Sequence, residues 1–170
     1  MNILLITLRI IHIFGGVFWA GASIFMAGMV EPAVRASAPE SSRFMQALTT
    51  RTPFLLALAA AGWLTTLSGL WLYWLIFKGI NVSYGYGLML TVGGVAGLLG
   101  AAVGSSMQGQ ASSKMIALGK QITAAGGPPR PEQLAQMARL QQTLATGGRI
   151  TAILLTIAVL GMAAAQYVSF

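Results

Sequence analysis

The fold is decided by residues 53–77, PFLLALAAAGWLTTLSGLWLYWLIF, a run that contains no charged residue. A helix needs about 20 predominantly apolar residues to cross the hydrocarbon core of a bilayer, and this run is long enough. Comparable runs occur elsewhere in the chain. We therefore predict four membrane-spanning helices, at about residues 10–30, 53–77, 84–106 and 150–168.

Composition excludes the other broad classes of protein. Of the 170 residues, 56% are hydrophobic and 8% are charged, whereas a soluble domain carries about 25% charged residues. The same numbers exclude an intrinsically disordered chain, which would be polar and rich in charge. The lack of cysteine excludes a disulfide scaffold and a cysteine-based zinc site. We predict one integral membrane domain over residues 1–170, an all-α polytopic four-helix bundle.

Basic residues indicate the orientation in the membrane. Ten Lys and Arg residues stand against three Asp and Glu, and most of the basic ones lie in residues 31–52 and 107–149. The positive-inside rule places these two connections in the cytoplasm and both termini in the periplasm of a bacterial inner membrane. The charge is spread singly through loops and matches anionic lipid. It lacks the clustered pattern of a nucleic-acid-binding protein, so we expect no nucleic acid partner.

The connection at residues 107–149 predicts a helical hairpin in the cytoplasm. Residues 107–124 contain helix formers and no proline, and residues 126–131, GGPPRP, are a cluster of helix breakers. The sequence after this cluster resumes a helical pattern. We expect spans three and four to continue beyond the bilayer as antiparallel helices that project about 25 Å.

A shorter helix is predicted between spans one and two. Ser37-Ala38-Pro39-Glu40 is typical of a capping box, with Glu at the third helical position. A helix over residues 39–50 would place Phe44, Met45 and Leu48 on one face. We expect it to lie along the membrane surface.

The motif Gly-Gly-Val occurs twice, at residues 15–17 and 93–95. Each copy is followed by small residues, a basic connection and another span, and both halves would have the same orientation. One hypothesis is a parallel internal repeat. The other is a chance recurrence in a glycine-rich chain.

Polar residues form one stripe on span one. Arg9, His12, Gly16, Trp19 and Ser23 are separated by three, four, three and four residues, so they share a helix face. A polar stripe in a membrane faces protein or a cavity rather than lipid. His12 is the sole histidine, and it could be an axial haem ligand, a copper ligand, a proton relay or a structural residue bonded to a neighbouring helix.

Span three carries a stripe of glycines, Gly93, Gly97, Gly100 and Gly104. Such a face lets another helix approach closely, so we predict that it is a packing surface; a cofactor ring or a lipid tail would also fit it. Because this face leaves room for a ring, we expect His12 to point into the bundle and to pack against it.

The sequence has few side chains that could act as a catalytic acid, base or nucleophile, and we predict that the protein is not an enzyme. Its only carboxylates are Glu31, Glu40 and Glu132. All three lie at or beyond the membrane ends, and none is near His12 in the sequence. There is no Asp or Cys.

Residues 9–21, RIIHIFGGVFWAG, resemble the first helix of small bacterial membrane proteins grouped with the copper-resistance protein D superfamily. That pattern has a basic residue, a nearby histidine and a run of small residues ending in Trp-x-Gly. Residues 44–45, 68–71 and 126–129 look like an uncharacterised four-helix branch of the group. The resemblance implies copper handling or a haem-associated role, with His12 and Trp19 as cofactor-binding positions and His12 as the metal ligand.

Three functions follow from these observations. The first is a non-enzymatic accessory or interaction subunit of a membrane complex, which docks other membrane subunits or a second copy of the chain through its glycine stripes and cytoplasmic hairpin. The second is a copper-handling membrane protein. The third is a carrier of b-type haem with His12 as one axial ligand, where the other ligand is a Met or His12 of a second subunit.

Overall fold

The computed structural model describes residues 3–37, 40–80 and 85–168, with Glu40 and Ser42 described by their backbone alone. Within these ranges the ordered elements are helical and none is a strand. Four helical segments are long and apolar enough to cross a membrane: Ile3–Ala36, Phe54–Phe77, Tyr86–Ala125 and Pro131–Tyr167. The prediction of an all-α, multi-pass membrane bundle is therefore confirmed.

The helices are α1 (Ile3–Phe25), α2 (Glu31–Ala36), α3 (Glu40–Thr50), α4 (Phe54–Phe77), α5 (Tyr86–Val103), α6 (Gln110–Ala125) and α7 (Pro131–Ala164). Two π-helical turns, Met26–Val30 and Gly104–Gly109, join α1 to α2 and α5 to α6 without a break. A 3-10 turn, Ala165–Tyr167, follows α7.

The helix that contains the first predicted span extends beyond residues 10–30 at both ends. It begins at Ile3, where an apolar lead-in precedes residue 10, and its helical rod continues to Ala36. The helix does not stop at the predicted end of the span near residue 30, because the π turn accommodates Pro32. The Glu31 amide bonds to Met26 O, five residues back, so the helix widens where the proline ring would otherwise collide with the preceding turn.

Residues 107–149 form the predicted helical hairpin. Helix α6 continues α5 as far as Ala125, and Gly126 ends it with a φ of +65°, the left-handed conformation that glycine adopts at low cost. Helix α7 starts at Pro131, and the Gln133 side chain accepts a hydrogen bond of 2.9 Å from the Arg130 amide. Helices α6 and α7 then pack side by side.

The predicted surface helix corresponds to α3, Glu40–Thr50. Its start was assigned to a capping box, but Ala38, Pro39 and the Glu40 side chain lie outside the described residues. Phe44 on this helix is 60% exposed. Pro53 is the N-cap of α4, and the Thr52 hydroxyl just before it accepts a hydrogen bond of 3.3 Å from the Phe54 amide.

The bundle consists of two antiparallel helix pairs. Helix α1 packs along α4, α5 packs along α7, and contacts of α1 with α7 and of α4 with α5 join the pairs. Trp19, Ala20, Ala61 and Leu155 form a buried cluster where the pairs meet. We call the end with α2, α3 and α6 the hairpin end, and the end where α1 begins and α7 ends the terminal end.

Candidate functional site

His12 is held by α4 through its Nδ1 atom. This atom lies 2.8 Å from Thr65 O. A carbonyl oxygen can only accept, so in the neutral imidazole Nδ1 carries the proton and donates it. The Nε2 atom is then left unprotonated, with its lone pair free. The backbone of α4 thus selects one tautomer of His12.

The prediction that His12 points into the bundle is confirmed, but the expected neighbour on span three is wrong. The ring rests on Gly69 of α4, where an ideal Cβ would lie 2.6 Å from His12 Cε1. The partner of α1 is α4 rather than α5, so a notch on α4 receives the ring. Gly69 supplies that notch because it has no side chain.

Trp19 fills a second notch in the same interface. An ideal Cβ on Gly62 would lie 3.3 Å from Cε2 of the indole, and the Trp19 side chain is 8% exposed. Along α1, Trp19 lies two helical turns from His12, about 10 Å. The structure therefore places the two predicted cofactor-binding residues in separate notches, with Trp19 in the buried core.

Between these notches, Gly15 of α1 lies against both the backbone and a side chain of α4. An ideal Cβ on Gly15 would lie 2.6 Å from Thr65 Oγ1 and 3.3 Å from Ala61 O. Thr65 Oγ1 is buried and has no hydrogen-bond partner within the described ranges. The Gly15 hydrogen that replaces a side chain points toward this oxygen, so a weak C–H···O contact is the interaction available to it.

The remaining members of the polar stripe are less enclosed. Arg9 is exposed near the terminal end, and Ser23 is partly buried. An exposed arginine near the end of a span can extend its guanidinium to the interface. The stripe therefore supplies one enclosed titratable group, His12.

Three of the four predicted packing glycines contact α7. An ideal Cβ would lie 3.0 Å from Ala158 O at Gly93, 3.8 Å from Ala158 Cβ at Gly97 and 3.3 Å from Leu155 Cδ2 at Gly100. At Gly104 the nearest atom, 3.7 Å away, belongs to Gln108 in the next turn of the same rod. Gly104 is the first residue of the π turn rather than part of this helix contact.

Sequence reasoning missed the glycine that α7 contributes to the same contact. An ideal Cβ on Gly161 would lie 3.3 Å from both Gly93 Cα and Met89 O, so the two backbones touch directly. Gly161 stands alone in its part of span four, so no regular glycine spacing marks it in the sequence.

A second feature missed from the sequence is a hydrogen bond between the rods of the second pair. Gln108 Nε2 donates to Thr151 Oγ1 over 2.9 Å, and Thr151 is 1% exposed. Gly147 provides the space, since a Cβ there would lie 3.1 Å from Gln108 Cγ. The available signal was a glutamine at the end of an apolar run, but it did not identify the partner.

Glu31 forms an ion cluster at the hairpin end. Its Oε1 atom accepts hydrogen bonds from Arg35, one turn along α2, and from Arg149 of α7 at 3.2 Å. The Glu31 side chain is 20% exposed. This cluster links the first helix pair to the second.

Among the described residues, no group of three or more His, Cys, Asp or Glu side chains converges on one point. A metal or haem bound at His12 would thus take one nitrogen ligand from this site. Its other protein ligands would come from a different residue type or another chain.

No protein-family model matches the chain, and no curated protein or solved structure matches it either. The relation to the copper-resistance protein D superfamily therefore stays a prediction from residues 9–21.

Proposed function

We propose that the chain is a non-enzymatic accessory subunit of a bacterial inner-membrane complex and that it docks its partner through the helical hairpin. The observation that supports this proposal is the extension of two spans by regular helices, α6 and the first half of α7. These helices are not needed to cross a bilayer. At 1.5 Å per residue they reach about 25 Å beyond it.

The surface of the hairpin suits an acidic partner with an apolar contact. Ile116 and Leu134 are 41% and 57% exposed on its two legs. Lys114, Lys120 and Arg130 are exposed on the same hairpin. Exposed apolar side chains among like charges are typical of a contact surface, with the charges favouring a partner of opposite sign.

The orientation that this role requires places the hairpin in the cytoplasm. It can be tested with a reporter that is active only in the periplasm, fused after Phe170 or inserted after Ala125. We expect activity from the first fusion and none from the second. The reverse pattern would contradict the positive-inside assignment.

The docking role is tested by native electrophoresis of solubilised source membranes. We expect wild-type protein in a hetero-complex larger than the 17.8 kDa chain. Replacing Lys120 and Arg130 with Glu should release it. Lys78→Glu is the matched control, because Lys78 is an exposed cation at the terminal end. Migration of the wild-type chain alone, or only with copies of itself, would contradict the proposal.

A second candidate function, carriage of b-type haem, is favoured by the tautomer of His12. Metal-ligating histidines commonly donate one ring N–H to a carbonyl and coordinate through the other nitrogen, and His12 donates Nδ1–H to Thr65 O. Haem bound at Nε2 would supply electron-transfer chemistry. The same nitrogen could bind copper, as the resemblance of span one implies.

An absorption spectrum with metal analysis of the purified protein separates these candidates. Haem predicts a Soret band that His12→Gln removes while the protein still folds, and copper predicts a metal content that responds in the same way. Gln166→Leu, which changes a polar residue at the terminal end, is the control. A colourless, metal-free protein from haem- and copper-supplied cells would contradict both candidates and leave the accessory role intact.

A further inference from the structure

An open apolar groove lies at the hairpin end of the first helix pair. One wall is formed by the end of α1, the π turn and α2, and the other by α3. The side chains that line it include Phe25, Met29, Val30, Ala33, Val34 and Phe44. Phe44 stays 60% exposed beside it. This is a concave apolar surface beside an amphipathic helix.

Two backbone carbonyls beside the groove are paired. Because α2 ends at Ala36, the carbonyls of its last turn lose their helical partners. The Ser41 hydroxyl of α3 donates a hydrogen bond of 2.7 Å to Val34 O, and the Ser37 amide donates one of 3.0 Å to Ala33 O. With these carbonyls satisfied, the groove offers a mainly apolar wall to an occupant.

The position of the groove relates it to the membrane interface. Phe25 and Met29 belong to the apolar part of the first span, whereas Arg35 and Arg43 are exposed and adjoin the lining residues Val34 and Phe44 in the chain. The carboxylate of Glu31 is shared by Arg35 and Arg149, so this cluster keeps a net positive charge. The groove thus combines an apolar floor that continues the first span with exposed cations, the pattern expected at a membrane interface.

We propose that this groove binds one acyl chain of an anionic glycerophospholipid, whose phosphate is held by Arg35 and Arg43. The charge of the rim is complementary to a phosphodiester. The wall suits a flexible chain better than a transmembrane helix, since close helix packing in membranes uses small residues and this wall is built from Phe, Met and Val side chains. The proposal goes beyond the docking role and does not depend on it.

The apolar half of the site is tested by filling the groove. Detergent-purified protein is exchanged with phosphatidylglycerol, and retained lipid is counted by native mass spectrometry. We expect one lipid on wild-type protein and about tenfold weaker retention on Val34→Trp, the effect of displacing about two methylene groups from apolar contact. Val17→Trp is the matched control, because Val17 is 70% exposed on the same helical rod. Equal retention by all three proteins, or equal loss from both variants, would overturn the site.

The anionic half of the site is tested by comparing phosphatidylglycerol with phosphatidylcholine. We expect wild-type protein to prefer the anionic lipid and Arg43→Gln to lower that preference about fivefold, the contribution of one arginine near a charged headgroup. Arg139→Gln, at an exposed arginine of α7, is the control and should keep the preference. Equal binding of the two lipids by wild-type protein would overturn the assignment of Arg35 and Arg43.

A photocrosslinker separates lipid from protein as the occupant. Benzoylphenylalanine at Phe44, activated in native membranes, should attach to a lipid and add the mass of one phospholipid. Attachment to another polypeptide as the main product would overturn the proposal and make the groove a protein-docking surface.

Discussion

The helix pairs α1/α4 and α5/α7 both contain a Gly-Gly-Val motif in their first helix, but their helices pack together in different ways. In both, the first glycine of Gly-Gly-Val faces a carbonyl of the partner helix, with Cβ distances of 3.3 Å from Gly15 to Ala61 O and 3.0 Å from Gly93 to Ala158 O. In both, a π turn begins about three helical turns later, at Met26 and at Gly104. This shared frame supports the hypothesis of a parallel internal repeat.

The pairs differ in what fills the space around the shared glycine. In α1/α4, glycines on α4 receive the side chains of His12 and Trp19, and Thr65 faces Gly15. In α5/α7, Gly93 and Gly161 bring the two backbones into contact. Leu90 stands three residues before Gly93, just as His12 stands three residues before Gly15. The first pair thus carries a polar site between its helices, whereas the second pair is a scaffold held by direct contact between the two backbones.

The largest effect is expected from breaking the scaffold. At Gly93→Leu the new side chain meets Ala158 O and the Met162 backbone, neither of which can move without separating the helices. We expect the unfolding free energy in detergent to fall by about 3 kcal/mol. Gly94→Leu is the control, because nothing lies within 4 Å of a Cβ there. Similar losses for the two variants would show that α5/α7 does not depend on this close approach.

A smaller effect is expected at the polar site, because a side chain can move where a backbone cannot. Gly69→Ala places a methyl group in the His12 ring position and breaks the bond to Thr65 O. We expect a loss of about 1–2 kcal/mol in unfolding free energy. In a His12→Ala background the same change should cost nothing, since the clash is gone. Gly21→Ala is the control, because no atom lies within 4 Å of a Cβ there. If Gly69→Ala lowered the unfolding free energy equally in the His12→Ala background, the proposed notch would be contradicted.

The hydrogen bond in the second pair should contribute less. Thr151→Val removes the acceptor of Gln108, and interhelical hydrogen bonds in membranes contribute about 0.6 kcal/mol on average and up to about 1.7. We expect a loss of about 1 kcal/mol in unfolding free energy, because Gln108 is left unpaired. Thr156→Val is matched, since that hydroxyl bonds within its own helix. Equal costs would show that the Gln108 contact adds no stability.

The smallest effect is expected at the ion cluster that links the pairs. Glu31→Gln weakens the contacts of α2 with Arg149, but partly exposed ion pairs contribute only about 0–1 kcal/mol. We expect a loss of at most about 0.5 kcal/mol, measured at low ionic strength and absent at high salt. Glu132→Gln on the hairpin is the control. A loss that persists in high salt would indicate a role beyond charge.

The spacing of residues and the length of each apolar run predicted the helices and the turn, because both are properties of a single segment of sequence. The uncharged runs predicted four spans, the Gly-Pro cluster predicted the turn at Gly126, and the stripe predicted Gly93, Gly97 and Gly100 as packing residues. These inferences needed no knowledge of which helix lies beside which.

The incorrect predictions concern features that depend on which helices lie next to each other in the bundle. The stripe on span one predicted a buried face for His12, but the order of helices in the bundle put α4 beside it. Glu31 and Arg149 are 118 positions apart, so no local pattern pairs them. The first span was expected to end at about residue 30, whereas its helix continues to Ala36, because the π turn that accommodates Pro32 has no recognisable sequence signal.

The central claim, that the α4 backbone fixes one tautomer of His12, can be measured directly because His12 is the sole histidine. Protein labelled with ¹⁵N-histidine gives NMR signals from one ring only. We predict a protonated Nδ1 and an unprotonated Nε2 for the neutral ring in the folded protein in lipid, and loss of this pattern in Gly69→Ala. A proton on Nε2 instead, or two nitrogens averaged by rapid exchange in the wild-type protein, would contradict the account.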